Sequence, residues 1–391
     1  RWFESNADLV EKYEDEIEGL RRPNEWDNRW WSEIILGEHL HLRDNVGMIG
    51  DTGFGIFDII GSDAEENMER ICVAPMDLDV DSSVYTAVLA PNGGFVSDLT
   101  VARLGENHYR VITGGAHAGQ DKTWFSDHLE GDSELIGRSS ELCTLGVWGP
   151  DAEELMNSIA EEEMTADSFD FAEMKDVTIG AVDAKAFRIS YVGEFGWEIY
   201  APMDQGQRLW DTIYEAGQEY DIRPVGTGVY GETGRMEKSY RLMGAELEID
   251  YNPAEAGLTL HGVKDADFIG KEAYAEGIEE ENSATLCTLS VTDHAPDGGE
   301  RRFMTGGEPV LDQDGNVLID DEGRRSYVTS AGTGPSVGKH LLMAYLPQEY
   351  ATEGEELQVE YFGQQYPVEV EVAGNGGVFD PNNDRLFRNE Y

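Results

Sequence analysis

The chain has 391 residues, of which 40% are hydrophobic and 10% aromatic, enough for two or three packed cores and inconsistent with disorder. Its 79 acidic residues against 28 basic ones give a formal net charge of −51 and leave no basic stripe for nucleic-acid phosphates, so a nucleic-acid partner is excluded from the expectation. No apolar run reaches the roughly 18 residues of a membrane span. The acids are spread along the whole chain, and only eight of the 28 basic residues are lysine. Such a surface repels itself in dilute buffer and becomes tolerable when salt shortens the Debye length to about 3 Å near 1 M. The expectation is a cytoplasmic protein of halophilic archaeal type. The chain begins at Arg1, which reads as a trimmed start without a secretory signal. Cys72, Cys143 and Cys287 lie far apart and fit a reducing interior. His39 and His41 point to different faces of a helix, with no HxxxH or HExxH, so no metal is expected.

In chain order, residues 7–20 and 33–46 read as helices, separated by the Trp-rich stretch RPNEWDNRWWSEI. VGMIGDTGFGIFDIIG reads as strand and turn. SVYTAVLAPNGGFVSDLTVARL is a hairpin around Pro91-Asn92-Gly93-Gly94. HYRVITGG is a strand, QDKTWFSDHLE a helix, and LCTLGVWGPDAEELMNSIA strand, turn and helix with Pro150 and Asp151 at the helix start. FRISYVGEFGWEIYAP reads as a second hairpin, followed by the helix QGQRLWDTIYEAGQ. EGIEEENS marks a boundary, beyond which turns at DQDGN, PSVGK and YFGQQY predict a small C-terminal β-barrel. Two motif matches carry no weight. Gly226, Gly228 and Gly231 match GxGxxG without a buried parallel strand before them, and TSAGTGPSVGKH has the wrong spacing for a phosphate loop.

The second hairpin carries chemistry. A turn centred between Glu194 and Phe195 puts Tyr191 directly opposite Glu198, on one face of the sheet. A phenol and a carboxylate among aromatic residues can clamp a flat heterocycle, because a carboxylate accepts two parallel hydrogen bonds from a guanidine-like edge. Spacing by itself favours an ordinary cross-strand pair on a solvated face. Asp98 is an acid in a β-rich run, which an exposed position also explains. Arg235 fits a surface ion pair with Glu232 or Glu237 equally well.

Taken together, the order and spacing resemble the aminomethyltransferase (glycine cleavage T-protein) family. The segments that carry this are YTAVLAPNGGFVSDLTV, RISYVGEFGWEIY, GRMEKSYRLMGAEL, EAGL, DFIGKEA and SYVTSAGTGPSVGKHLLMAYL. The likeness runs from about Trp30 to the C-terminal region, and the entry segment EHLHLRDNVGMIGDTGFGIFDIIG is most similar to the folate-binding half of dimethylglycine and sarcosine dehydrogenases. The resemblance implies an α+β fold of several domains with mixed and antiparallel sheets. Residues 1–275 would form the folate-binding region, as two intertwined subdomains (about 1–55 with 145–275, and 56–144), and 283–391 a β-barrel domain.

It also implies tetrahydrofolate as the cofactor. Glu198 would grip the amino-pyrimidine edge of the pterin, with Tyr191 and Tyr85 lining the pocket. Asp98 would stand at the folate N5 as the catalytic group, and Arg235 would reach the glutamate tail. Gly234 stands where the family carries leucine, and Leu260 where it carries an aromatic residue. The implied reaction transfers an aminomethyl carbon from the lipoyl arm of a carrier protein to tetrahydrofolate, releasing ammonia and forming 5,10-methylenetetrahydrofolate. The alternative is a demethylase taking an O-, N- or S-methyl group from a small-molecule donor to give 5-methyltetrahydrofolate, or capture of a one-carbon unit delivered by a separate flavoprotein.

Overall fold

The computed structural model describes residues 6–22, 29–259 and 261–388, and side chains from residue 33 onward in the helix Arg29–Asp44. Most of the Trp-rich stretch, and Leu260, lie outside the described residues. The β-branched and aromatic runs build three sheets.

The first has six strands in the order Arg223–Pro224, Gly47–Gly50, Leu142–Trp148, Gly196–Pro202, Val182–Phe187, Met174–Ile179, antiparallel except at the first pair. Its central strands are buried on both faces. On one face Val147, Trp197 and Ile199 meet Leu155 and Met156 of the helix Ala152–Ile159 and Leu209 and Ile213 of the helix Gly206–Gly217. The alternate residues, Glu198 and Tyr200, therefore point the other way, toward the second sheet. Tyr200 packs there with Ile56, Ala102 and Ile112.

The second sheet is antiparallel, with the order Ser83–Leu89, Phe95–Gly105, His108–Thr113, Gly55–Ile60, Glu134–Gly137. Its outer face is covered by the helices Ala64–Ile71 and Ala118–His128. The expected hairpin forms here, with Gly93 at φ +83° and Gly94 so close to the chain that a Cβ would fall 1.9 Å from the Ile249 carbonyl oxygen.

The third sheet, residues 284–373, has six strands in the order Val310–Leu311, Glu356–Tyr361, Gln364–Ala373, Ala284–Val291, Lys339–Pro347, Val328–Gly334. Hydrogen bonds from Val310 N to Ser326 O (3.1 Å) and from Val328 N to Glu308 O (2.8 Å) join its two edges into a barrel-like domain.

A short segment ties the three together. The segment that carries GRMEKSYRL folds as a π-helical turn, Val229–Gly234, and one α turn, Arg235–Glu237, stopped by Ser239 at φ +55°. Met236 lies in a core shared by Leu89 and Phe95 of the second sheet and Leu286 and Leu341 of the third. Glu237, fully buried, meets His39 Nε2 at 2.9 Å and Arg43 at 3.2 Å, and accepts from Ser336 N of the barrel at 2.6 Å. Arg43 also donates to Glu194 at 3.0 Å, which accepts from Arg385 of the C-terminal segment at 2.6 Å, while Lys238 pairs with Asp380 at 3.2 Å. Burial alone would raise the Glu237 carboxyl, but His39 and Arg43 hold it down at about 2.

Replacing Arg43 by leucine leaves Glu194 and Glu237 buried without that cation. The expected cost is about 3–5 kcal/mol of unfolding free energy, read by denaturant titration in molar KCl. A loss under about 1 kcal/mol would show the network to be solvated and weak.

Candidate active site

The excursion that leads into the central strand decides where Tyr191 and Glu198 sit. Partner residues pair Glu198 with Phe187 and Tyr200 with Lys185, so the strand Val182–Phe187 ends before Tyr191 is reached. The expected register, with Tyr191 opposite Glu198, is therefore incorrect. Residues 188–195 leave the ladder because four of their groups have stronger claims elsewhere. Arg188 donates to Phe169 O at 2.6 Å, Ile189 O accepts from the Trp148 indole at 2.9 Å, Glu194 binds Arg43 and Arg385, and Phe195 is buried against Trp197. Gly196 re-enters the sheet at φ +151°, where a Cβ would lie 2.0 Å from Val147 O.

Glu198 nevertheless faces inward, 4% exposed. It accepts hydrogen bonds from Tyr200 at 2.5 Å and Tyr230 at 3.4 Å, and among the described residues it has no cationic partner. Burial pushes its carboxyl up to about 7, against the opposing pull of those two phenols. Tyr191 joins it indirectly. Its ring lies 5.2 Å from that of Tyr230 and stacks on Tyr240 at 5.8 Å, and its hydroxyl donates to Arg241 O at 2.5 Å.

From the second sheet, Tyr85 and Asp98 enter the same hollow. They sit diagonally on paired strands, Asp98 opposite Ala87 and Tyr85 opposite Thr100, and the Tyr85 hydroxyl donates to Asp98 at 3.0 Å. Burial raises the Asp98 carboxyl to about 6, with Tyr85 opposing and Asp121 adding to the rise. Asp98 and Tyr191 interact electrostatically, as do Tyr85 and Tyr191, so the two sheets converge on one site. Tyr85, Asp98, Tyr191, Tyr230 and Tyr240 each keep part of their surface accessible within an otherwise buried region.

Arg235 borders this site and is committed to the protein. Its guanidinium donates to Gly231 O, Tyr240 O, Glu246 and Ser330 at 2.8–3.1 Å. The GxGxxG segment supplies Tyr230 and an amide, Gly226 N, that donates to Glu38 at 2.9 Å. A cleft of about 880 Å³, lined by Phe95, Val96, Trp124, Met243, Leu247 and Ile249 among others, opens near the Asp98 strand but contains none of these groups. The site is defined by its chemistry rather than by that cleft.

Sequence reading missed Tyr200, Tyr230, Tyr240 and Asp51. Tyr200 was recoverable, since two residues beyond Glu198 on a strand means the same face. Tyr230 and Tyr240 come from irregular segments with no period to read. Among the described residues, no group of three or more His, Cys, Asp or Glu side chains is arranged to hold a metal ion. His39 bonds Thr233 and Glu237, and His41 meets Asp221 O at 2.6 Å.

The family model for the GCVT N-terminal domain matches residues 9–263, and that for the glycine cleavage T-protein C-terminal barrel domain matches residues 287–374. The chain is 32% identical over 349 residues to the mitochondrial dimethylglycine dehydrogenase of Rattus norvegicus, covering 87% of this chain but only 38% of that enzyme. It is 30% identical over 340 residues to an aminomethyltransferase of Geobacillus sp. (strain WCH70), covering 86% and 88% of the two chains. The crystal structure of glycine cleavage system aminomethyltransferase T from Bartonella henselae shares the fold, with a TM-score of 0.74 at 23% identity, over 86% of this chain and 88% of that one.

Glu198 binds protons more tightly in the folded chain than an ordinary glutamate, so its contribution to stability falls as pH rises from about 4.5 to about 7. Glu198→Gln is expected to gain stability relative to the parent by an amount on the order of 2 kcal/mol more at pH 8 than at pH 5, read from melting temperatures in molar KCl. An equal difference at both pH values would show that the carboxylate is not buried unpaired.

Proposed function

The chain belongs to the glycine cleavage T-protein family, and from that premise we propose that it is a tetrahydrofolate-dependent one-carbon transferase of the aminomethyltransferase type. The observation that carries the reading is Glu198, a buried carboxylate held by two phenols and without a cationic partner among the described residues. The amino-pyrimidine edge of a pterin offers such a group two parallel N–H donors, as a guanidinium does, without carrying its charge into the site. Tyr191, Tyr230 and Tyr240 supply aromatic faces against which the ring can pack.

Tetrahydrofolate supplies a nucleophilic N5 that accepts the one-carbon unit. The protein's share is to orient and to move a proton. Asp98, with a carboxyl near 6, is mostly ionised at neutral pH and accepts from Tyr85; in this reading it takes a proton or stabilises positive charge. Tyr191 and Tyr85 flank it. Arg235 acts as a positioning residue, holding Tyr240 and Glu246 in place, with the folate tail as a less direct partner.

The product we favour is 5,10-methylenetetrahydrofolate. Because the chain matches dimethylglycine dehydrogenases and free-standing aminomethyltransferases about equally well, two donors fit: a lipoyl carrier's aminomethyl group, and a one-carbon unit released by a separate flavoprotein. The −51 charge points to work in molar salt, in a halophile's cytoplasm.

Three outcomes are expected of this reading. Calorimetry without oxygen in molar KCl shows saturable tetrahydrofolate binding that Glu198→Gln weakens on the order of 100-fold. Parent affinity rises from pH 6 to pH 8, since the accepting form of Glu198 appears as its proton leaves near 7. Asp98→Asn keeps binding while turnover falls by about 10²- to 10⁴-fold. A folded parent that binds no tetrahydrofolate would overturn the reading. Separately, the melting temperature is expected to rise steeply as KCl increases from about 0.1 to about 2 M, and a flat response would contradict the salt assignment.

A further inference from the structure

The first sheet carries a second carboxylate beside Glu198. Pairing between Gly47–Gly50 and Leu142–Trp148 sets Ile49 opposite Gly146 and Gly50 opposite Leu145. The bond from Asp51 N to Thr144 O (2.9 Å) continues that register by one residue. On the other side of the same strand, Gly146 faces Glu198 and Thr144 faces Tyr200. Two rows therefore run across the sheet on one face, Ile49–Gly146–Glu198 and Asp51–Thr144–Tyr200. Between the two acids the strand offers only Gly146, over which the Trp148 indole lies, and Thr144.

Asp51 Oδ2 and Thr144 Oγ1 are both buried, and neither has a hydrogen-bond partner among the described residues. A buried carboxylate oxygen without a donor costs folding free energy, and among the described residues no cation acts on it. Asp51 and Glu198 repel each other, which adds to the effect of burial in raising the Asp51 carboxyl to about 8. The site thus has acceptors left over beside Glu198, close enough to Tyr230 for Asp51 to act on it electrostatically.

We propose that Asp51 is a second pterin-binding carboxylate, which accepts N8–H at the edge of the ring beyond N1. This rests on the folate reading above and adds a specificity to it. Tetrahydrofolate has a hydrogen on N8, whereas fully oxidised folic acid presents a lone pair there, so Asp51 favours the reduced ring while Glu198, bound to N3–H and the amino group, serves both.

The test is calorimetry of the full chain in molar KCl with tetrahydrofolate and with folic acid, for the parent, Asp51→Asn, Asp51→Leu and Glu198→Gln, with each variant's ligand-free melting temperature measured alongside. Both Asp51 variants are expected to melt no lower than the parent, to bind tetrahydrofolate at least about tenfold more weakly, and to narrow the preference for tetrahydrofolate over folic acid by about fivefold or more. Glu198→Gln is expected to weaken both ligands alike. Asp51 variants that bind tetrahydrofolate within about twofold of the parent, at unchanged preference, overturn the assignment of Asp51 and leave that of Glu198 standing. A folded parent that binds neither ligand overturns both.

Discussion

The structure turns on a carboxylate taken out of water with no cationic partner among the described residues. Glu198 sits on a strand buried on both faces, with one neighbour on either side packed into the core of the first sheet. Desolvating an ionised carboxylate is costly unless something replaces the lost water. Here two phenols do so in part, and the remaining deficit appears as a carboxyl that holds its proton to about 7. A ligand that presents N–H donors relieves that deficit, and binding and proton release become one event.

The contrast with Glu237 shows that this is a property of place rather than of composition. Both glutamates are buried, yet Glu237 is met by Arg43, His39 and the amide of Ser336 and is held near 2. The chain has only 28 basic residues to distribute among 79 acids. It spends Arg43, Lys238 and Arg385 on the junction where the N-terminal helix, the 188–195 excursion, the barrel and the C-terminal segment meet. That junction fixes the excursion carrying Tyr191, and so sets the aromatic wall opposite the unneutralised acid. Rigid pairing in one place supports unsatisfied chemistry in the next.

The regular elements were legible in the sequence because their period is short. The Tyr85–Asp98 hairpin announces itself by two β-rich runs around Pro91-Asn92-Gly93-Gly94, and Asp98 meets Tyr85 as neighbouring strands require. The small C-terminal barrel was legible from the turns at DQDGN, PSVGK and YFGQQY, and the fold as a whole is shared with the aminomethyltransferase T of Bartonella henselae. The second hairpin was misread because a Gly-x-x-Gly at 193–196 mimics a tight turn, while the forces that pull residues 188–195 out of the ladder come from Arg43, Arg385 and Trp148, each far away in sequence. The same holds for Tyr230, which reaches Glu198 from a π-helical turn, and for Arg235, whose partners Glu246 and Ser330 no local pattern could supply. Asp51 could not be found at all without register, since nothing in DTGFG distinguishes it from an exposed turn acid.

The most direct test of this account is a crystal structure of the chain grown in molar KCl with tetrahydrofolate. The account predicts the amino-pyrimidine edge within hydrogen-bond distance of Glu198, the ring against Tyr191 and Tyr230, and N5 nearer to Asp98 than to any other carboxylate. A ligand seated in the cleft lined by Trp124 and Leu247, or with its pyrimidine edge turned away from Glu198, would contradict it.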